Sequence, residues 1–223
     1  ATGSILTVYR RMGGLFLIGP YMGHLVAFAV GFGVMFSFVS GSSFVMQEQF
    51  GLGPTAFSLV FAGNAVALVL ANMANVRIVG RIGAPRMQIV GQTLLVTGAF
   101  GLLIVALTVH SLPLVIILTF VATVGSGFNM GNTTAQAMDL APGRAGAASA
   151  LLGAAQFLMA GAVAPVVGLG EDGLLTMATV MAVCASVAAV GGVVGRPGGP
   201  RGAPGLARGL APAAGGAPGG VSA

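Results

Sequence analysis

The stretch Arg77-Ile-Val-Gly-Arg81-Ile-Gly-Ala-Pro-Arg86 decides the fold. Its three cations stand between two long runs free of charge, residues 56–76 before it and residues 88–109 after it. A charged side chain costs roughly 2.5–3.5 kcal/mol at the centre of a membrane helix, so charges collect in the junctions between spans. Working outward, Arg10 and Arg11 precede the first apolar run, Arg144 separates the fourth from the fifth, and Arg196, Arg201 and Arg208 follow the sixth. The intervening junctions carry Glu48, then His110, then Glu171 and Asp172, with no Lys or Arg. Basic junctions stay cytoplasmic. The alternation therefore predicts six spans with both termini inside.

Composition agrees. Of 223 residues, 56% are hydrophobic and 6% charged, against about 25% charged in a soluble domain. The runs are continuous and reach the roughly 20 residues a membrane helix needs, whereas a transmembrane barrel would show short alternating segments. The class is an all-α integral membrane protein built as a six-helix transmembrane bundle. The net charge of +5 comes wholly from Arg, which reads as topology and contact with anionic lipid headgroups. The arginines are spread over several loops and form no stripe for nucleic acid. Arg10-Arg11 before an apolar run resembles a signal peptide, but the run from Met12 to Met46 is far longer than such a segment. It is read as a retained first span.

The expected spans are Pro20–Met46, Ala56–Val76, Gln88–Val109, a fourth ending near Met138, Ala147–Leu169 and Leu174–Val194. Thr55 is the expected N-cap of the second. The outer turns are Phe50–Pro54, His110–Pro113 and Glu171–Gly173, and Asp139–Arg144 is an inner loop. Residues 1–195 form the membrane domain. Residues 196–223, nearly all Gly, Pro, Ala and Arg, lack the apolar content for a core and are expected to be a disordered cytoplasmic tail.

Residues for catalysis are missing from the sequence. The acids are Glu48, Asp139, Glu171 and Asp172, all at span ends. Ser-His-Asp, HExxH and P-loop patterns do not occur, so an enzyme is not expected. Cys184 is alone, which rules out an internal disulfide, and His24 and His110 lack metal-pair spacing. Neither a metal nor another cofactor is implied.

Spans one, two, four and five hold most of the uncharged polar groups, which must pair or face water. They are expected to border a polar cavity, with His24, Ser37, Asn64, Asn132 and Gln156 as candidate substrate-binding residues. The alternative is pairing from helix to helix. Asn72 and Asn75 read as anchors of the inner loop, and Arg77, Arg81 and Arg86 as a cytoplasmic gate or lipid anchor. Gly127 and Gly131 form a GxxxG pair suited to close helix approach. Pro165 is expected to kink span five.

The ordered series of motifs carries a resemblance. Gly41-Ser-Ser-Phe-Val-Met-Gln-Glu48, Phe50-Gly-Leu52, Phe57-Ser-Leu-Val-Phe-Ala-Gly-Asn64-Ala65, Asn75-Val-Arg77 and Arg81-Ile-Gly-Ala-Pro-Arg86 resemble the second half of a major facilitator transporter. Gly131-Asn-Thr-Thr-Ala135, Ala145-Gly-Ala-Ala-Ser149-Ala-Leu-Leu-Gly153-Ala-Ala-Gln156-Phe157 and Ala164-Pro165 continue it. More narrowly, the series is similar to the Bcr/CflA drug-resistance family, over about residues 8–195. Gly131 and Ser43 stand where that family usually has Pro.

The resemblance implies half of a twelve-helix major facilitator fold. Helices seven, eight, ten and eleven of the whole would line the cavity. It implies export of an amphiphilic drug of chloramphenicol or bicyclomycin type, driven by inward-moving protons, across a bacterial cytoplasmic (inner) membrane. The proton-coupling residues belong to the first half, so a partner six-helix half is expected. The alternatives are a six-span chain that forms a homodimeric transporter, or an inactive membrane fragment of a truncated gene.

Overall fold

A computed structural model describes residues 13–196. Residues 197–223 of the expected tail, and with them Arg201 and Arg208, lie outside the described residues, as do Arg10 and Arg11. A helical turn at residues 13–16 leads into α1, Gly19–Ser43, which runs on without a break as a π-helical segment, Phe44–Gln49. Then follow α2 (Pro54–Ile82), α3 (Ala84–Thr108), α4 (Leu112–Asp139), α5 (Ala145–Gly168) and α6 (Gly173–Val194). All six are long and apolar enough to cross a membrane. The protein is a multi-pass helical membrane protein.

Four helices start with Pro in the first turn, at Pro20, Pro54, Pro85 and Pro113. Proline suits that position because the first backbone N–H groups have no helical acceptor. The N-cap of α2 is therefore Gly53, not Thr55, since Pro54 already begins the helix. Asp172 caps α6 by accepting from the Leu175 N–H at 3.1 Å. The α5 helix continues through Pro165.

The largest departure from expectation is the basic junction. Arg77 and Arg81 do not lie in a loop: α2 extends through both of them to Ile82. Arg86 stands in the first turn of α3, and only Gly83 separates the two helices, at φ 89° and ψ 145°. L-residues rarely adopt that conformation, so a single glycine reverses the chain where a longer loop was expected. Cations at a helix C-terminus are favoured by the helix dipole, which lets α2 carry Arg77 and Arg81 past the membrane core.

The helices pack unequally. α3 lies along α4, α1 along α6, and the two pairs join through α1–α4 and α3–α6 contacts. α2 leans chiefly on α4, and α5 chiefly on α1. Glycine sets the closest approach: a Cβ on Gly125 of α4 would stand 2.5 Å from the Leu95 N of α3. One apolar cluster, including Val45, Met46, Leu102, Val115 and Leu174, fills the half of the bundle nearer the α1–α2 connection. A second, including Leu15, Tyr21, Ala141 and Ala148, fills the opposite half, where the Tyr21 hydroxyl donates to the Ala148 carbonyl at 3.0 Å. α2 and α5 keep large apolar side chains exposed, among them Leu59, Val66, Leu70, Phe157 and Leu158.

Candidate functional site

α4 carries the polar side chains that tie the bundle together. Its Asn129 donates to the Ala27 carbonyl of α1 at 3.1 Å, passing over Gly31. Its Thr123 donates to Asn64 Oδ1 of α2 at 2.9 Å, and its Asn132 donates to Asn75 Oδ1 of α2 at 2.8 Å. Its Gln136 donates to Gln88 Oε1 of α3 at 2.5 Å. Thr133 bonds back to Asn129, which fixes that amide. Backbone and amide groups in the hydrocarbon layer must find partners within the protein, and α4 supplies them for three neighbours. Asn75 is thus a buried partner of α4, not an anchor for the inner loop; Asn72 is exposed and bonds only to its own helix, at the Leu68 carbonyl.

Between α1, α2 and α4 lies a cleft of about 200 Å³. Met35 and Phe38 of α1, Phe61, Asn64 and Leu68 of α2, and Thr123 of α4 line it. Phe38 and Phe61 stack with ring centroids 5.8 Å apart and planes inclined by 14°. The wall is apolar and aromatic with one amide–hydroxyl pair, Asn64–Thr123. Such a surface suits a flat, largely apolar molecule with few hydrogen-bonding groups.

The five expected substrate-binding residues do not meet at one place. Asn64 lines the cleft. Ser37 is buried and donates to the Gly33 carbonyl of its own helix at 2.7 Å. His24 is buried against Gly195 at the other end of α1, with Nδ1 unpaired. Asn132 lies about two and a half turns beyond Thr123 on α4 and is bonded to Asn75 and to the Phe128 carbonyl. Gln156 is half-buried on α5 and makes no hydrogen bond among the described residues. Thr123, Phe38 and Phe61 were not singled out by the sequence. The signal for the aromatic wall was present in Phe57, Phe61, Asn64 and Leu68, which repeat at helical spacing on one side of α2.

At one end of the bundle a polar cluster joins the helices. Gln49 donates to Asp172 Oδ1 at 3.0 Å and accepts from the Leu174 N–H at 2.8 Å. His110, at φ 45°, brings Nε2 to 3.9 Å from Asp172 Oδ2. The Gln49 hydrogen bond, followed by the Leu175 N–H, holds the Asp172 carboxyl below its ordinary range. No group of three or more potential metal ligands occurs among the described residues.

Six apolar helices, an amide-bearing α4 and an aromatic cleft on one side define a helical membrane bundle. The Major Facilitator Superfamily profile matches residues 23–214, and the chain belongs to that superfamily, a class of transporters rather than enzymes. It is 33% identical over 190 residues to an uncharacterised major-facilitator-type transporter, YdgK, of Bacillus subtilis (strain 168), covering 82% of this chain and 45% of that protein. It is 26% identical over 165 residues to a bicyclomycin resistance protein homologue of Haemophilus influenzae, covering 73% of this chain and 41% of that protein. The chain spans less than half the length of these curated relatives. No solved structure matches it.

Proposed function

We propose that this chain forms the second six-helix half of a multidrug exporter, with both its ends at the cytoplasmic side. A partner half covers the exposed sides of α2 and α5 and supplies the proton-coupling acid. The two halves rock about a site near the midplane, as in other transporters built from repeats. Drug rests on the Phe38–Phe61 wall, and Asn64 orients it by a single hydrogen bond. Gln156 lies on α5, outside the lining of this cleft, whereas Asn132 joins α4 to α2 and His24 and Ser37 are buried in the packing of α1. The observation that carries this reading is the cleft itself, an aromatic surface with one amide lying where α1, α2 and α4 meet. The bicyclomycin-resistance relative supports the drug class.

The test is drug susceptibility in a bacterial strain stripped of its own exporters. The chain is produced with a six-span first half from a full-length relative, and bicyclomycin and chloramphenicol are applied. Resistance is expected from the pair and from neither half alone. Removing a large apolar group from a binding pocket costs about tenfold or more in discrimination. Phe61→Ala should therefore lower resistance to at least one drug, and Asn64→Leu should alter the ranking of the two, with membrane abundance unchanged. Full resistance in both variants would remove the cleft from the drug path. Resistance from this chain alone would favour the homodimer.

A further inference from the structure

On the opposite side of the bundle, α3 and α6 leave a second groove of about 280 Å³. It lies away from the drug cleft and rests on a different set of residues. Ile89, Thr93 and Val96 of α3 form one wall, Val193 of α6 the other, and Gln92 the floor. Gln92 is committed to structure, since it is buried and donates to the Ala188 carbonyl of α6 at 2.9 Å. Arg196, just beyond the end of α6, closes the groove at one end. Arg86 stands one turn before Ile89 on α3, so the same end carries a second cation nearby.

We propose that this groove binds one anionic phospholipid from the cytoplasmic leaflet, its phosphate at Arg196 and one acyl chain along Val96 and Val193. Three features point to that occupant. The groove runs from Ile89 to Thr97, about 12 Å at 1.5 Å per residue, and is apolar over most of that length. Its charge is unopposed: no carboxylate lines it, Glu48, Glu171 and Asp172 belong to the far end of the bundle, and Asp139 ends α4. Its charged end coincides with the side assigned to the cytoplasm, whose leaflet is anionic and is bound by basic pockets between spans. The assignment of sides rests on the topology proposed above and is independent of any drug.

The experiment uses the full chain reconstituted in vesicles of phosphatidylcholine containing a small fraction of phosphatidylglycerol that bears a photoreactive group midway along one acyl chain. After illumination, labelled peptides are mapped by mass spectrometry. Label is expected on the segments holding Ile89–Thr97 and Ala189–Val193. It should fall about fivefold in Arg196→Gln, the factor one basic residue confers at an anionic surface. Val193→Trp, which fills the groove and keeps the cation, should lose label as well. Equal labelling by a photoreactive phosphatidylcholine would overturn the anionic preference. Label spread evenly over exposed faces would overturn the site. Loss of label on adding inorganic phosphate alone would assign Arg196 to a free anion and overturn the lipid. An Arg196→Cys thiol that reacts only from outside the cell would show the topology, and not the groove, to be at fault.

Discussion

Asn129 and Gly31 offer a stringent test of how α1 and α4 are joined. A Cβ added at Gly31 would stand 2.5 Å from Asn129 Nδ2, while its next neighbours, Asn129 Cγ at 3.7 Å and Ala188 Cβ at 3.8 Å, are ordinary contacts. In the wild-type background Gly31→Ala therefore displaces the amide from the Ala27 carbonyl. The loss combines overpacking, about 1–3 kcal/mol, with an interhelical hydrogen bond worth about 0.6 kcal/mol in a membrane protein. Set against it is the gain of about 1 kcal/mol when Ala replaces Gly inside a helix. With Asn129→Ala already in place, the obstructing atom is gone and only the gain remains. The sign of the Gly31→Ala effect should invert, from destabilising to stabilising by up to about 1 kcal/mol. Stability can be followed by circular dichroism as mild-detergent micelles are titrated with a denaturing detergent, because the chain has no Trp to report by fluorescence. If Gly31→Ala costs the same in both backgrounds, within the roughly 0.3–0.5 kcal/mol of ordinary additivity, the side chains do not interact as described.

Gly83→Ala should destabilise by about 1–3 kcal/mol, measured in the same titration, because φ 89° strains any Cβ although the added carbon meets nothing nearer than Pro85 Cδ at 3.8 Å. Asn75→Leu and Asn132→Leu should be non-additive, with a coupling near the 0.6 kcal/mol average for such bonds and below about 1.7; a coupling of zero would mean the amides do not meet. Asp172→Ala should cost about 1 kcal/mol as a lost helix cap. Because the folded carboxyl is held below its ordinary value of 3.8, its contribution is complete at neutral pH and disappears as acid protonates it. A pH series of detergent unfolding should therefore show wild type and variant converging under acid, and a gap that persists there would refute the assignment.

The number and order of the helices were legible because the physics is local: charge is expelled from the hydrocarbon, and apolar runs of sufficient length show where the chain crosses. Helix ends were less legible. Arginine is costly only in the membrane core, so Arg77 and Arg81 look like a loop although α2 carries them. That error propagated to Asn75, which seemed terminal once the span was ended at Val76. In the structure it lies deep enough to meet Asn132. The uneven distribution of polar groups in the sequence pointed to α1, α2, α4 and α5, of which only the first three line the cleft, and could not choose between lining and pairing. Asn64 does both: it pairs with Thr123 and borders the cleft. Asn132 and Asn129 are held by distant residues whose proximity no spacing reveals. The Gly127–Gly131 motif marked a real approach, with a Cβ on Gly127 reaching 2.9 Å from Ala71 Cβ. The tighter α3–α4 contact uses Gly91, Gly98 and Gly125, and becomes a pattern only when both helices are aligned.

The two polar pairs that hold α2 against α4 also set a schedule for biogenesis. Thr123 follows Asn64 by 59 residues, and Asn132 follows Asn75 by 57. At about 5–20 residues per second of synthesis, α2 waits roughly 3–12 s before either partner is made. Throughout that interval its asparagines must be sheltered by the insertion machinery or by water at its lateral opening. Release of α2 into lipid is thus coupled to translation of α4, and a ribosome stalled between the two helices would strand an intermediate whose amides are exposed to the insertase and to membrane quality-control proteases.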